Sequence, residues 1–309
     1  MMTGGDIEAE VQPTHSALTE NARAKVNLTL RVVGRRGDGY HELESVVAFA
    51  DCADRLSLTP GPKLDLATIG PLAQACGEAT DNLVVRAAQL LAERVPELRL
   101  GDFILDKVLP VAAGIGGGSA DAAAALRLLA QANHLGLDDS RLIEAARLTG
   151  ADVPVCVPSR ACIMTGVGET LQPLNLPPMP CVMVNPRVPV ATRDVFSALG
   201  LRNGELLVGA TDVILRDRGW PGAGASVAQW IAAFAEIGND LEAPAKRIQP
   251  VIGEVLAALA AVQGARLARM SGSGATCFAI FEDDAEARHA AQKIRLDHPG
   301  WWVHAGALS

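Results

Sequence analysis

Residues 110–125, PVAAGIGGGSADAAAA, constrain this chain more than any other stretch. Gly114, Gly116, Gly117, Gly118 and Ser119 run straight into an alanine-rich segment with strong helix propensity. Glycines can turn the backbone so that several N–H groups point at one spot. A helix starting near Ser119 adds unpaired N–H groups and the positive end of its dipole. The preceding segment, Phe103 to Leu109, reads as a strand. Strand, loop and helix together make a phosphate cradle that contains no lysine. The alternative is a glycine-rich turn without a ligand. Ordering four glycines within five residues costs more chain entropy than a mere connection warrants.

Two familiar phosphate motifs are excluded. A P-loop requires lysine after its last glycine, and here Ser119-Ala120-Asp121 follows. A dinucleotide fingerprint requires G-x-G-x-x-G. Counting from Gly114 the sixth position is Ser119, and from Gly116 it is Asp121.

The 309 residues predict one large or two medium domains. Hydrophobic residues make up 49% and aromatics only 4%, so a sizeable core must be built mainly of alanine, leucine and valine. The net charge of −8 and the lack of a basic stretch argue against a nucleic-acid partner. An anionic nucleotide would have to be met by local N–H groups and a few placed cations. Cys52, Cys76, Cys156, Cys162, Cys181 and Cys277 form no C-x-x-C pair. They read as reduced thiols of a cytoplasmic protein. The histidines show no H-x-x-x-H spacing, so no metal site is expected. Neither a signal-peptide pattern nor a membrane-length apolar run occurs, and residues 1–20 read as a polar, disordered tail.

Along the chain, Val26 to Val33 alternates as a strand and Gly37-Asp38-Gly39 forces a turn. Leu43 to Ala50 and Arg55 to Thr59 read as further strands. Helices are expected over Leu83 to Val95, Ser119 to Asn133 and from Asp138-Asp139-Ser140 to Gly150. A strand over Ala161 to Met164 follows, and the four prolines of Pro173 to Pro180 mark a linker. Beyond it come strand Cys181 to Asn185, helices from Ser226 and Pro250, and strands Arg266 to Met270 and Thr276 to Phe281. A last helix runs from Asp284 to Leu296. The mixture without regular βα alternation predicts an α+β fold in two lobes.

Three features flank the glycine loop. Lys25, in Ala24-Lys25-Val26-Asn27, is either a surface lysine or a cation held in a cleft. Asp152 lies between Ala151 and Val153-Pro154, a poor place for solvation. It is either a base for taking a proton from an alcohol or a turn-forming aspartate. Ser271-Gly272-Ser273-Gly274-Ala275 is either a hairpin turn or a second loop closing over a triphosphate.

Lys25-Val26-Asn27-Leu28, the run from Pro110 through Ala123 and the late S-G-S-G-A resemble the three motifs of the GHMP kinases, which act on small alcohols such as galactose, homoserine and mevalonate. The resemblance spans about Ala22 to Leu308. Gly34 to Leu43 (GRRGDGYHEL), Asp81-Asn82-Leu83, Gly150 to Pro154 and Asn239-Asp240-Leu241-Glu242 resemble one branch of that family. That branch phosphorylates the tertiary 2-hydroxyl of a cytidine-diphosphate-linked methylerythritol in the non-mevalonate isoprenoid pathway.

The resemblance implies a two-lobed fold. An N-terminal lobe over 21–177 would resemble the second domain of ribosomal protein S5, and a C-terminal lobe over 178–309 would be ferredoxin-like. It implies ATP and Mg2+, a small-molecule substrate, no nucleic-acid or membrane partner, and a monomer or homodimer. Asp152 would be the base and Lys25 its partner. Pro110, Val111, Ala112, Ala113, Gly114, Ile115, Gly116, Gly117, Gly118, Ser119 and Ala120 would hold the phosphates. Asn82 and Lys107 would meet the adenine or ribose. Asn27, Tyr40, His41, Thr192 and Phe196 would line the substrate site, with Tyr40 and Phe196 stacking on cytosine and His41 reading its edge. Ala112 and Ala113 precede Gly114 where relatives carry more glycine, which requires ordinary negative φ angles there. Ser119 is the candidate magnesium ligand, and 201–220 matches no motif of the family. Another GHMP kinase, of the homoserine or mevalonate type, would not need the cytosine clamp.

Overall fold

The computed structural model describes residues 17–207 and 219–309. The first sixteen residues of the expected tail and most of 201–220 lie outside the described residues. Leu18 to Glu20, assigned to that tail by the sequence, are instead the start of a strand.

The first half contains β1 (Leu18–Asn27), β2 (Arg31–Arg35), β3 (His41–Gly61), β4 (Leu64–Ile69), α1 (Leu83–Ala92), β5 (Leu100–Asp106), α2 (Gly117–Ala132), α3 (Ser140–Thr149), α4 (Val153–Cys156), β6 (Cys162–Gly166) and β7 (Thr170–Pro173). The second contains β8 (Met179–Asn185), α5 (Thr192–Ser197), α6 (Val227–Ala235), α7 (Glu242–Ile248), α8 (Val251–Ala261), β9 (Leu267–Met270), β10 (Cys277–Ile280), α9 (Asp284–Asp297) and β11 (Trp302–Leu308).

β3 organises the sheet. The sequence suggested two strands here, yet residues 41–61 run without a break. β3 pairs antiparallel with β1, β2, β5 and β6 and meets β11 at Ala50↔Leu308. The sheet order is β4-β5-β3-β11-β8-β10-β9. Conversely, the expected strand Val26 to Val33 is split into β1 and β2. Around Thr29, side chains replace ladder bonds. The Thr29 hydroxyl accepts from the Val46 N–H at 3.0 Å, and the Ser45 hydroxyl donates to the Thr29 carbonyl at 2.6 Å. That interruption turns Asn27 and Leu30 toward the cleft they line.

The alanine run explains how α2 can be central. Ala120, Ala122, Ala123, Ala124 and Ala125 are all buried, as are Leu126, Leu128 and Leu129. Small side chains let α2 lie close to α1, α3 and α4 and to β1 and β3. Three apolar clusters result. The first lies around α1–α4, and the second around α8, α9 and β8–β10. The third joins Val26, Leu28, Val46 and Ile115 to Met183, Trp230, Phe278 and Leu308. The Pro-rich stretch therefore divides the sequence pattern, while the core continues across it. Among the described residues, no helix is long and apolar enough to cross a membrane.

Candidate active site

The first glycine loop leaves β5 and enters α2 at Gly117, two residues before the expected start. Gly116 is the N-cap at φ 61° and supplies no side-chain hydrogen bond, and Gly114 has φ 74°. The first N–H groups of α2 therefore lack helical partners and open into the cleft. Ala112 departs from expectation. Its φ is 50°, a left-handed conformation that costs a residue with a Cβ roughly 1–2 kcal/mol.

A cleft of about 380 Å³ faces this loop. Ala112, Ala113, Gly114, Gly116, Gly117, Gly118 and Ser119 line one side, and Lys25, Asn27, Asp152, Thr192, Phe196, Gly272 and Ser273 line the rest. Lys25 is a buried cation. Its N–H donates to the Ile115 carbonyl, its stem passes Gly116, and its Nζ lies 3.0 Å from Asp152 Oδ2. Asp152 precedes α4 but its carboxylate does not cap that helix, so its geometry is not that of the turn-forming alternative. Its side chain is 42% exposed, facing both the lysine and solvent.

The late S-G-S-G-A segment joins β9 to β10 as a hairpin and also packs against the first loop. The Ser271 hydroxyl donates to the Gly114 carbonyl at 3.0 Å and accepts from the Asn27 N–H at 3.1 Å. The Thr276 N–H donates to the Ala113 carbonyl, and Ser273 Oγ lies 2.9 Å from Thr192 Oγ1. The segment is therefore a hairpin turn that also packs against the first loop. The two loops leave no room for side chains between them. A Cβ on Gly114 would stand 2.6 Å from the carbonyl oxygens of Ser271 and Gly274.

A second cavity of about 630 Å³ shares Leu43, Ser119, Asp152, Met164, Thr192 and Phe196 with the first and extends to Arg35, Tyr40 and His41. The expected clamp is altered here. The ring facing Phe196 is His41, at 4.6 Å between centroids and 30° between planes, while Tyr40 is 61% exposed. Adjacent residues at the start of a strand point to opposite faces, so Tyr40 and His41 cannot both face Phe196. Burial, then the Arg35 guanidinium, holds the His41 imidazole below the usual histidine range. His41 Nε2 is buried without a partner in the protein.

Lys107 is the other correction. It does not line the cleft but is 2% exposed beneath the loop, with Nζ 2.5 Å from both Asp54 Oδ2 and Asp121 Oδ2. Burial alone would depress this ammonium, but the two carboxylates outweigh it and hold its pKa above the usual lysine value. Asp54 Oδ1 also accepts the N–H groups of Val108 and Leu109, fixing where the loop begins. Asn82 caps α1 by accepting the Val84 N–H, and the next residue, Leu83, lines the cleft. Pro110 and Val111 line a separate cavity behind the loop, with Arg187 and Trp302.

Sequence reasoning missed Asp54, Asp121 and Arg35. Arg35 Nη1 donates to the Leu201 carbonyl and Nε to the Gly39 carbonyl, bracing the hairpin that carries Tyr40 and His41. A charged residue at position 121, set among the alanines that open α2, was the available signal for the triad.

Two family models match the chain: the GHMP kinases N terminal domain over residues 82–160 and the GHMP kinases C terminal over residues 216–298. A 4-diphosphocytidyl-2-C-methyl-D-erythritol kinase of Bradyrhizobium diazoefficiens is 73% identical over 95% of this chain and 98% of its own. One of Rhodopseudomonas palustris is 68% identical over 95% and 99%. A crystal structure of 4-(cytidine 5'-diphospho)-2C-methyl-D-erythritol kinase superposes with a TM-score of 0.71 at 34% identity, covering 94% of this chain and 99% of that one. A homoserine kinase from Cytophaga hutchinsonii, 18% identical over 97% of both chains, shares the fold with a TM-score of 0.64. The chain belongs to the GHMP kinases and, within them, to the family of 4-diphosphocytidyl-2-C-methyl-D-erythritol kinases.

Proposed function

We propose that this protein transfers the γ-phosphoryl group of ATP to the 2-hydroxyl of 4-diphosphocytidyl-2-C-methyl-D-erythritol, releasing ADP and the 2-phosphate. The observation that carries this reading is the joined cavity, in which Asp152, Ser119 and Phe196 line both compartments. One compartment holds unpaired helix N–H groups for phosphates, and the other holds flat rings for a base. A homoserine or mevalonate acceptor would have no use for the His41–Phe196 stack.

The residues divide the work as follows. The N–H groups of Gly117, Gly118 and Ser119, with the second glycine loop above them, receive the triphosphate. Asp152 takes the proton from the 2-hydroxyl as its oxygen forms a bond to the γ-phosphorus and the bond to the ADP oxygen breaks. Lys25, 3.0 Å from Asp152, holds that carboxylate in place and stabilises negative charge developing on the substrate oxygen. Asn27 Oδ1 is buried without a protein partner and lines the same cleft, so it is free to accept a substrate hydroxyl. Neutral His41 offers one donor and one acceptor to the cytosine edge.

No group of three or more His, Cys, Asp or Glu that could hold a metal occurs among the described residues. Ser119 is the candidate residue to hold a magnesium ion that would otherwise be carried by phosphates and water. Such an ion would neutralise charge on the phosphate oxygens. The free state of all six cysteines supports the cytoplasm as its compartment.

The test is ADP release with ATP and magnesium, comparing the cytidylyl substrate with homoserine and mevalonate. Release only with the cytidylyl substrate is expected. Release with another alcohol instead would retain the kinase and remove the cytosine reading.

A further inference from the structure

The N-D-L-E motif marks this branch of the family, yet neither phosphate binding nor proton transfer uses it. Its residues touch both sides of the cleft. Asn239 is 8% exposed, and its Nδ2 donates to two carbonyls of the second glycine segment, Met270 and Gly272, at 2.8 Å each. Its Oδ1 accepts the Leu241 N–H at 2.9 Å, so the whole amide is used within the protein. Gly272 in turn lies against the first loop, where a Cβ would stand 2.8 Å from the Gly114 carbonyl oxygen.

Asp240 faces the other way. Its Oδ2 accepts the Val32 N–H at 2.7 Å, while its own N–H donates to the Leu30 carbonyl. The Leu30 N–H donates to the Gly238 carbonyl, so residues 238–240 run beside the start of β2. β2 leads directly into the hairpin that carries Arg35, Tyr40 and His41. Glu242 adds a third tie by accepting the Met270 N–H.

We propose that Asn239 and Asp240 are positioning residues with separate duties: Asn239 sets the second glycine loop against the phosphate site, and Asp240 sets the strand that presents the nucleoside-reading hairpin. The inference rests on the reading of the cleft as an ATP and cytidylyl site. It goes beyond that reading because neither side chain touches the cleft contents. Removing Asn239's amide leaves two buried carbonyls unpaired beside the phosphate loop. Removing Asp240's carboxylate takes away the tie to the Val32 N–H of β2, which then keeps its pairing with β3, and leaves the glycine loops in place.

The experiment measures both KM values in Asn239→Ala and Asp240→Ala. Asn239→Ala is expected to raise KM for ATP about tenfold and lower kcat, with the cytidylyl KM within about twofold of wild type. Asp240→Ala should show the opposite split, and Asp240→Asn, which keeps an oxygen for Val32, should restore the cytidylyl KM. Equal movement of both KM values in either variant, or no movement in folded protein, overturns the proposal. Should Asn239→Ala fail to fold, Asn239→Ser is held to the same split. Titration of a non-hydrolysable ATP analogue alone separates the two readings. If the wild-type protein does not turn over the cytidylyl substrate, the functional reading fails. Weaker analogue binding by the Asn239 variant still decides the role of Asn239.

Discussion

At the scale of single residues, the proposed chemistry rests on the pairing of Lys25 with Asp152. A well-placed base contributes about 10²–10⁴-fold to a proton-transfer step. Asp152→Ala is expected to lower kcat within that range and leave binding of a non-hydrolysable ATP analogue nearly unchanged, as read by titration calorimetry. His41 makes a second prediction, about pH. Burial and Arg35 disfavour its charged form, so the imidazole stays neutral to lower pH than an ordinary histidine near 6.5. KM for the cytidylyl substrate should therefore stay flat as pH falls through that value and rise only below it. The same shift makes the unfolded chain bind more protons between the lowered value and 6.5, so this group's contribution to stability falls with acid across that window. A KM that rises with a midpoint at the ordinary value would show that His41 is not held neutral. Lys25 and Asp152 were visible in the sequence as residues with two readings each, and their proximity in the cleft is the observation that favours the reading as base and partner. Lys107 was misplaced because sequence spacing cannot show that a cation beside the first glycine loop faces two carboxylates, one of them 53 positions away.

At the scale of elements, the glycines differ in what they would meet. Gly114 has φ 74°, and a Cβ there would stand 2.6 Å from two backbone oxygens of the second loop. Gly118 lies in the first turn of α2, and a Cβ there would meet only the Leu83 side chain at 3.5 Å. Gly114→Ala should therefore destabilise by more than about 1 kcal/mol, the left-handed cost alone, while Gly118→Ala stays neutral or gains up to roughly 1 kcal/mol of helix propensity. Urea unfolding of both variants checks this, and equal effects would mean that the two loops are not packed as described. The triad under the loop gives a larger effect. Lys107→Met leaves the Asp54 and Asp121 carboxylates buried without their cation, which typically costs about 3–5 kcal/mol. The helices α1, α2 and α3 were legible from caps and apolar spacing. β4, α4, β7, α5, α7 and β11 were not, because short elements carry few periods of pattern and are held mainly by neighbours from distant sequence.

At the scale of the molecule, β3 and β11 join the halves that the Pro-rich stretch separates in sequence. The Phe49 and Ser309 backbones exchange hydrogen bonds, and Arg23 Nη2 donates to the Ser309 hydroxyl at 2.9 Å. Leu308 is fully buried in the cluster that contains residues from both halves. Two lobes with a shared core of this kind cannot unfold independently without exposing each other's apolar surface. The four tryptophans, Trp220, Trp230, Trp301 and Trp302, all lie in the second half, so their fluorescence reports that half while far-ultraviolet circular dichroism reports the whole chain. The two signals are expected to change together in denaturant, as a single cooperative transition requires. Leu308→Ala should shift both midpoints equally, at a cost of about 2–5 kcal/mol for a truncated core leucine. If the tryptophan signal alone moved, the second half would be melting by itself. The cleft between the glycine loops would then depend on a docking equilibrium rather than on one continuous core.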